Sequence, residues 1–361
     1  MKITDLKSYI LAAPCGKLIS DSARRLDRIQ LIVVEITTSS GIVGTGFTYA
    51  LRGGEGIKAV IDTEIGKLVE GMDPMETEKI WNDLCVKTDA RTHGGLSTNA
   101  IAAVDIALWD IIGKVRGEPL YRLLGGKRNR IPIYDTDSGW LHYSPKELAE
   151  NAVKLVQQGF KGFKIKVGKK TLEEDLERIR SVRNAVGDSL RLMVDANQAF
   201  GVEEAIRRGK AYEKYDIYWF EEPVVGESVE DYSRVASALE MYVAAGEWIY
   251  HFDIFEKLIR GRAVDIVQPD VCRVKGVTEW IKIAKFAEEY DVPLAPHFVM
   301  DLHVHLACAF PNGLTIEHMA WLTPLFKKSL AIEDGYAIAP EIGGHGVEFD
   351  EMVLGSLSGT L

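Results

Sequence analysis

Short apolar strands alternate with amphipathic helices from Gly125-Gly126 onward, and this alternation constrains the fold more than any other feature of the chain. The helical patterns between the strands, such as residues 145–158 and 172–186, are short enough to be crossover helices. Repeated units of this kind predict an α/β protein built as a modified (β/α)8 TIM barrel rather than an open sheet. The predicted strands are residues 131–134, 162–167, 190–194, 217–220, 242–245, 264–267, 292–295 and 314–316.

The region before this alternation has a different pattern. Residues 29–36 and 42–48 flank a Ser39-Ser40-Gly41 turn and predict an antiparallel hairpin, and helical segments follow at 56–70 and 99–115. We therefore expect an N-terminal α+β capping domain over residues 1–125 and a barrel catalytic domain over residues 126–337. A glycine-rich C-terminal tail, residues 338–361, is expected to return to the capping domain and complete it.

The composition is that of a folded, acidic protein. Of the 361 residues, 47% are hydrophobic and 27% are charged, which excludes a disordered chain. The net charge is −10 and the sequence has no basic face, so nucleic acid is not an expected partner.

No apolar run approaches the ~18 residues of a membrane span, and the N-terminus is a poor signal peptide. We expect no membrane partner and a cytoplasmic location.

The cysteines are scattered along the chain without a Cys-x-x-Cys pair. This spacing predicts buried reduced thiols rather than a zinc site or a disulfide framework. The four residues are Cys15, Cys85, Cys272 and Cys308.

A polar or ionisable side chain stands at the end of nearly every predicted strand. In a (β/α)8 barrel these ends, and the loops that follow them, hold the catalytic groups. A single carboxylate in such a place is equally well explained by a helix N-cap, but recurrence in successive units predicts an active site. The residues concerned are Ser138, Lys164, Lys166, Asp195, Asn197, Glu221, Glu247, Asp270, His297 and Glu317.

Three consecutive units contribute carboxylates, namely Asp195, Glu221 and Glu247. Carboxylates that converge from neighbouring strands suit a hard cation such as Mg²⁺, and the absence of Cys and His from the set argues against zinc. Without a cation the three charges would repel one another and raise each other's pKa. The sequence therefore predicts a magnesium site.

Two lysines and an Asp–His pair are the predicted proton-transfer groups. Lys164 and Lys166 are two residues apart on one strand, so they point to the same face and each is expected to lower the pKa of the other. His297 ends the predicted seventh strand and Asp270 ends the sixth, so the carboxylate is placed to orient the imidazole as a general acid or base. The other histidines, including His318 beside Glu317, are interpreted as structural.

These residues, with the motifs around them, resemble the enolase superfamily and, within it, the mandelate racemase group. The similarity covers essentially the whole chain. Residues 47–54, 294–305 and 321–326 are similar to acid-sugar dehydratases of the L-talarate/galactarate type. The motifs are Lys164-x-Lys166, Asp195-x-Asn197, Phe220-Glu221-Glu222-Pro223, Gly246-Glu247, Gln268-Pro269-Asp270, Pro296-His297 and Glu317.

The resemblance implies a Mg²⁺-dependent lyase of carbohydrate catabolism. Its substrate would be a sugar acid, either an aldarate such as galactarate or talarate, or an aldonate. Lys166 or His297 would abstract the α-proton to give a metal-stabilised enediolate, and loss of the β-hydroxyl would yield a 2-keto-3-deoxy acid. The resemblance further implies that Lys164 polarises the substrate carboxylate and that Glu317 donates a hydrogen bond to it.

Substrate contacts are also implied by the resemblance. Ser138 would help to hold the substrate carboxylate and Asn197 would contact the neighbouring hydroxyl. Loops of the capping domain would determine specificity, with Asp21, Tyr49 and Arg52 as the candidate substrate-binding residues.

The chain departs from the similar dehydratases at three positions. Leu51 and Ala23 stand where those enzymes carry lysines, so fewer cations are available for a second substrate carboxylate. Arg24 and Arg25 could still serve it, and both an aldarate and a monocarboxylic aldonate stay open as substrates. Lys275 precedes Gly276 where relatives often have two glycines.

Two alternative functions stay open. A racemase or epimerase of a 2-hydroxy acid would use the same Lys166 and His297 pair without eliminating a hydroxyl group. A catalytically silent barrel could act as a binding or scaffold protein, although no predicted metal ligand or base is missing. Relatives of this kind are dimers to octamers, so the resemblance also implies a homo-oligomer.

Overall fold

The computed structural model of the chain describes residues 1–88 and 95–350, apart from the side chains of residues 16 and 17. The N-terminal part contains a three-stranded antiparallel sheet in the order β1-β2-β3. Its strands are β1 (Ile3–Ser20), β2 (Arg25–Thr38) and β3 (Val43–Ala50). Its helices are α1 (Gly54–Val60), a π-helical turn (Ile61–Ile65), α2 (Gly66–Val69), α3 (Thr77–Lys87), α4 (Leu96–Arg116) and α5 (Leu120–Leu123).

Strand β2 is buried on both faces, which explains its nearly continuous apolar run. Successive residues of a strand point to opposite faces, so alternate side chains enter different cores. Leu31 and Val33 pack in the large core that extends into the barrel. Ile32 and Val34 pack in a second core against the helices of the N-terminal part. The sheet therefore joins the two halves of the molecule.

Helix α4 lies unusually close to β3. A Cβ atom at Gly46 would lie 2.0 Å from the carbonyl oxygen of Ala103, so only glycine permits this approach. By length and composition α4 could span a membrane, contrary to the expectation that no apolar segment approaches that length. Its most apolar window is 83% buried inside the protein, as in the core helix of a globular protein.

The alternating strands and helices predicted after Gly126 are present, and the expected α/β barrel class is confirmed. The strands are β4 (Arg130–Asp135), β5 (Gly162–Lys166), β6 (Arg191–Asp195), β7 (Ile217–Glu221), β8 (Tyr242–Ala245), β9 (Ile266–Val267) and β10 (Ile316–His318). The helices are α6 (Pro145–Gln157), α7 (Leu172–Val186), α8 (Val202–Tyr212), α9 (Val229–Ala238), α10 (Phe252–Arg260), α11 (Val277–Glu289) and α12 (Met300–Ala309). Two 3₁₀ turns, Glu213–Tyr215 and Ala320–Leu325, complete the set.

Parallel pairing runs from β4 through β9 in chain order, and β10 pairs with the other edge of β4. Between β9 and β10 the ring continues through single bridges, Val267 with Leu294 and Leu294 with Gly313. Within the predicted strand at 292–295, only Leu294 forms such bridges. Pro293 has no backbone N–H and cannot donate a hydrogen bond to a neighbouring strand. The last strand lies two residues later than predicted, which places Glu317 inside β10.

The end of the described chain contacts the N-terminal part. A hairpin of β11 (Ala331–Glu333) and β12 (Tyr336–Ile338) pairs with the start of β4. Farther on, Leu120 donates a backbone hydrogen bond to Gly344, and His345 Nε2 lies 2.7 Å from the carbonyl oxygen of Thr45. The domain boundaries at 125 and 337 stay predictions, and residues 351–361 of the predicted tail lie outside the described residues.

Candidate active site

The three carboxylates predicted to bind a metal converge at one end of the barrel. Asp195 and Glu221 are the last residues of β6 and β7, and Glu247 follows β8 by two residues. All three are at most 4% exposed, and one oxygen from each lies within 4.8 Å of the others. Three buried oxygen ligands on adjacent strands form an incomplete shell of the kind that Mg²⁺ occupies together with water or ligand oxygens. The residues fit such a cation.

Glu221 is held in place from three directions. Lys164 Nζ lies 2.5 Å from Oε1, while Gln268 Nε2 and Trp219 Nε1 donate to Oε2 at 2.6 Å and 3.0 Å. Burial raises the pKa of Glu221 to about 8, and the charges of Asp195 and Glu317 add to this against the opposing ammonium of Lys164. Burial and the neighbouring charges therefore disfavour the ionised form of Glu221. A bound cation would favour that ionised form, so the position suits a cation site.

The two lysines of β5 lie within this carboxylate cluster. Lys164 Nζ is 2.8 Å from Glu317 as well as bonded to Glu221, and Lys166 donates to Asp195. Burial lowers the pKa of both lysines, but the surrounding carboxylates outweigh it, and the pKa of each is raised. Lys164 does lower the pKa of Lys166, as expected, but the net pKa of Lys166 is raised, because the charge of Asp195 outweighs that of Lys164.

Glu317 accepts hydrogen bonds from several donors. Thr136 Oγ1 donates to Oε1 at 2.7 Å, and the backbone N–H of Phe298 donates to Oε2 at 2.8 Å. Burial would raise the pKa of Glu317, but Lys164 and the other nearby cations lower it strongly. In this arrangement Glu317 accepts hydrogen bonds, and the donor role toward the substrate that the resemblance implies stays a prediction.

The predicted His297–Asp270 pair is present. His297 Nδ1 lies 2.9 Å from Asp270 Oδ2, and its Nε2 lies 3.3 Å from Glu247 Oε2. Burial alone lowers the pKa of His297, but Glu247 and the hydrogen bond to Asp270 raise it overall. Burial raises the pKa of Asp270, and the hydrogen bond and charge of His297 lower it by more. The pair is therefore an imidazole beside an ionised carboxylate that orients its ring.

A narrow cavity of about 40 Å³ is lined by Lys166, Glu247 and His297. It shares part of its lining, including Arg24, Tyr49 and Arg273, with a neighbouring cavity of about 750 Å³. Residues of the three-stranded β1-β2-β3 sheet, hereafter the capping sheet, also line this larger cavity. The two cavities together bring barrel and capping residues to one place. The narrow cavity is lined by Asp21, Arg24, Leu26, Tyr49, Leu51, Trp140, Lys166, Asn197, Glu247, Arg273, His297, Phe298, Met319 and Trp321.

The remaining predicted substrate contacts are distributed unevenly. Asn197, Asp21 and Tyr49 line the narrow cavity, whereas Arg52 lines the larger one. The Asp21 carboxylate accepts from the backbone N–H groups of residues 23 and 24, so it also shapes its own loop. Ser138 lines neither cavity. Its backbone N–H donates to Asp135 at 2.9 Å.

Trp140 is a cavity residue that the sequence analysis missed. Its ring stacks on Trp321 with centroids 5.3 Å apart and lies 5.0 Å from the Lys166 ammonium. Gly139 makes this possible, because a Cβ atom there would lie 2.0 Å from the Lys164 carbonyl oxygen. Two buried atoms of cavity residues, Trp140 Nε1 and Asn197 Oδ1, have no hydrogen-bond partner among the described residues. Buried polar atoms without a partner are exceptional in folded proteins and are often completed by water or a ligand.

Three of the histidines interpreted as structural, His303, His305 and His318, have buried partners, whereas His93 lies outside the described residues. His303 contacts the Phe298 carbonyl oxygen at 2.9 Å and the Val271 N–H at 3.1 Å, and burial lowers its pKa to about 4. His318 Nδ1 lies 2.7 Å from Asp135. Lys275, the departure noted in the sequence, is buried with a φ of 63° and donates to the Tyr250 carbonyl oxygen at 2.9 Å.

Two family models match most of the chain. Residues 17–125 match "Mandelate racemase / muconate lactonizing enzyme, N-terminal domain", and residues 147–353 match "Enolase C-terminal domain-like". These two segments contain β2 and β3 of the N-terminal sheet and the strands that bear the carboxylate trio.

Individual relatives agree with these matches. The chain is 39% identical over 328 residues to L-talarate/galactarate dehydratase of Salmonella typhimurium, covering 90% of this chain and 82% of the relative. It is 34% identical over 357 residues to 3,6-anhydro-alpha-L-galactonate cycloisomerase of Streptomyces coelicolor, covering 98% of both. The crystal structure of the Salmonella dehydratase liganded with Mg and L-lyxarohydroxamate has a TM-score of 0.94 at 36% identity, covering 98% of this chain and 92% of that chain. The chain therefore belongs to the enolase superfamily, in its mandelate racemase/muconate lactonizing enzyme family.

Proposed function

We propose that this protein is a Mg²⁺-dependent dehydratase that converts a sugar acid to a 2-keto-3-deoxy acid and water. The observation that carries the proposal is the placement of two proton-transfer groups, Lys166 and His297, in one cavity beside the buried carboxylate trio. Trp140 and Asn197, which line the same cavity, each carry a buried polar atom without a partner among the described residues, and a polyhydroxylated substrate could supply one. The dehydratase relative supports the same reaction class.

The metal would be held by Asp195, Glu221 and Glu247, whose oxygens are the hard ligands that Mg²⁺ prefers. Bound there, the cation would supply positive charge next to the substrate carboxylate, where negative charge develops once the α-proton is removed. Lys164 lies between Glu221 and Glu317 and would add a second positive charge on the same side.

The protein's own residues would carry the proton transfers. Either Lys166 or His297, in its unprotonated form, removes the proton from the carbon next to the carboxylate, and the electron pair passes into the carboxyl group. As that charge returns, the bond to the β-hydroxyl breaks, and a protonated His297 gives the leaving oxygen its proton so that it departs as water. Asp270 would stabilise the imidazolium form of His297 while it carries that proton.

A dicarboxylic sugar acid is the substrate class that we favour. The larger cavity is lined by Arg24, Arg25, Arg52 and Arg273, and no carboxylate is present among its described lining residues. In a protein of net charge −10, such a cluster suits the second acid group of an aldarate. Leu51 and Ala23 stand where the similar dehydratases carry lysines, so fewer cations are available here. An aldonate, which has no second carboxylate, therefore stays the alternative substrate.

The test is incubation of the purified protein with Mg²⁺ and matched pairs of aldaric and aldonic acids, with detection of 2-keto acid. Lys166→Ala and His297→Asn are expected to abolish product while circular dichroism stays unchanged. Turnover that survives either substitution would remove that residue from the mechanism. Product from aldonates alone would overturn the dicarboxylate assignment.

A racemase or epimerase stays the second candidate, because the same two bases could deliver a proton to either face. It predicts exchange of the α-proton in D₂O without formation of 2-keto acid. A silent scaffold would catalyse neither α-proton exchange nor formation of 2-keto acid. It would also lose no Mg²⁺ affinity in the Glu247→Ala variant. We also propose a homo-oligomer, from dimer to octamer, located in the cytoplasm.

A further inference from the structure

Tyr49 reaches from the capping sheet into the barrel and contacts the predicted base. It is the next-to-last residue of β3 and is 4% exposed. Its hydroxyl donates to Asp270 Oδ2 at 2.6 Å, and that same oxygen lies 2.9 Å from His297 Nδ1. The hydroxyl itself is 3.5 Å from Nδ1. One carboxylate oxygen is thus shared between a capping residue and a barrel residue.

The surrounding contacts hold β3 firmly against the loop that carries Asp270. Thr48 Oγ1 and Asn99 Nδ2 both donate to the carbonyl oxygen of Cys272, at 3.0 Å and 3.3 Å. The ring of Tyr49 packs edge-on against Phe298 with centroids 5.0 Å apart. The tyrosine hydroxyl therefore approaches Asp270 from a fixed direction.

This arrangement matters because Asp270 is completely buried. Its Oδ1 accepts from the backbone N–H of Cys272 at 2.8 Å, which leaves Oδ2 to orient the imidazole. A buried carboxylate keeps one orientation only when its oxygens are hydrogen-bonded. Burial also raises the pKa of Tyr49 well above its usual value, so the phenol keeps the proton that it donates.

We infer that Tyr49 is a positioning residue, which fixes Asp270 and through it the imidazole of His297. Its only proton is donated to Asp270, so the hydroxyl has no donor left for a substrate, and the expectation that Tyr49 also contacts the substrate stays a prediction. The orientation of the base in the barrel then depends on the docked capping sheet. The effect of Tyr49 on the rate of dehydration rests on the proposed function. Its effect on the orientation of His297 does not.

The structural part is tested by NMR on protein labelled with ¹⁵N-histidine. The Nδ1 proton of His297 is assigned by its loss in His297→Asn and followed in Tyr49→Phe, which keeps the ring packing. We expect its resonance to shift and its exchange with water to speed up about tenfold, since one hydrogen bond to the shared oxygen is lost. An unchanged resonance and exchange rate would overturn the inference. Tyr9→Phe, in β1 of the same sheet and bonded to Glu35 instead, is the matched control.

The catalytic part is tested with the acid sugar that the wild type dehydrates. We expect kcat of Tyr49→Phe to fall about tenfold with little change in KM, since one hydrogen bond that orients the base is lost. A rise in KM at constant kcat would instead make Tyr49 a substrate contact and overturn the inference. If the wild type dehydrates no sugar acid, the proposed function fails and the NMR result alone decides the positioning role.

Discussion

Asp105 joins helix α4 to the barrel, and its substitution gives a quantitative test of the domain interface. The carboxylate is 1% exposed and accepts two hydrogen bonds from Thr278, from the backbone N–H at 2.9 Å and from Oγ1 at 2.6 Å. Burial raises its pKa from 3.8 to about 7, although Thr278 and the charge of Lys282 oppose the change. The native protein therefore binds this proton up to about pH 7, whereas the unfolded chain releases it near pH 3.8.

Between these two pH values the native state binds more protons, so raising the pH favours the unfolded state. At 1.36 kcal/mol per pKa unit the penalty reaches about 4 kcal/mol above pH 7, and about 3 kcal/mol of it accumulates between pH 5 and pH 8. Asp105→Asn removes the ionisation, while the amide oxygen still accepts from the Thr278 N–H. We expect the variant to be more stable than the wild type at pH 8, with a much smaller difference at pH 5.

The assay is urea denaturation of both proteins at pH 5, 6, 7 and 8, followed by circular dichroism. Asp27→Asn, at an exposed aspartate of β2, is the matched control for the loss of one carboxylate at the surface. Comparing variant with wild type cancels the contribution of the histidines that titrate in the same range. Parallel curves for Asp105→Asn and the wild type across this range would refute the reasoning.

Three further predictions address the site and the sheet. Glu247→Gln should weaken Mg²⁺ binding about 100-fold by calorimetry without loss of fold, since one buried ligand charge is removed; unchanged affinity would contradict the metal site. Arg52→Gln should lower kcat/KM about tenfold for an aldarate and leave the matching aldonate unaffected, because only the aldarate has a second carboxylate; equal losses would contradict the assignment. Gly46→Ala should lower the free energy of unfolding by about 3 kcal/mol in urea titration, because its Cβ would overlap the backbone of α4; wild-type stability would contradict the close packing.

The elements that the sequence predicted well are those with a local signal. The alternation of apolar strands and amphipathic helices identified the barrel strands that lie in long, paired segments, such as β5 and β6. The end of each strand is marked in the sequence by the change from apolar to polar residues. The convergence of Asp195, Glu221 and Glu247 followed from that mark, because parallel strands end at the same side of a barrel.

The errors arose where a neighbour in space outweighs the local pattern. The segment around Leu294 is apolar enough for a strand but forms only single bridges. Lys164 and Lys166 lie two residues apart on β5, yet the pKa of each is raised, because the charges of carboxylates from other strands outweigh burial and the neighbouring ammonium. Helix α4 is apolar on nearly every side because it is enclosed between the capping sheet and other helices.

The sequence by itself determined the order of the strands and helices, the side of the barrel on which the polar residues collect, and the chemical nature of the metal ligands. These properties depend on residue types and on periodicity along the chain, which are local. Only the tertiary structure decided that Tyr49 meets Asp270 across 221 positions and that Trp140 lines the cavity. Such contacts depend on how the capping sheet docks on the barrel, and the docking is determined by the packing of side chains from distant segments, which no local spacing encodes.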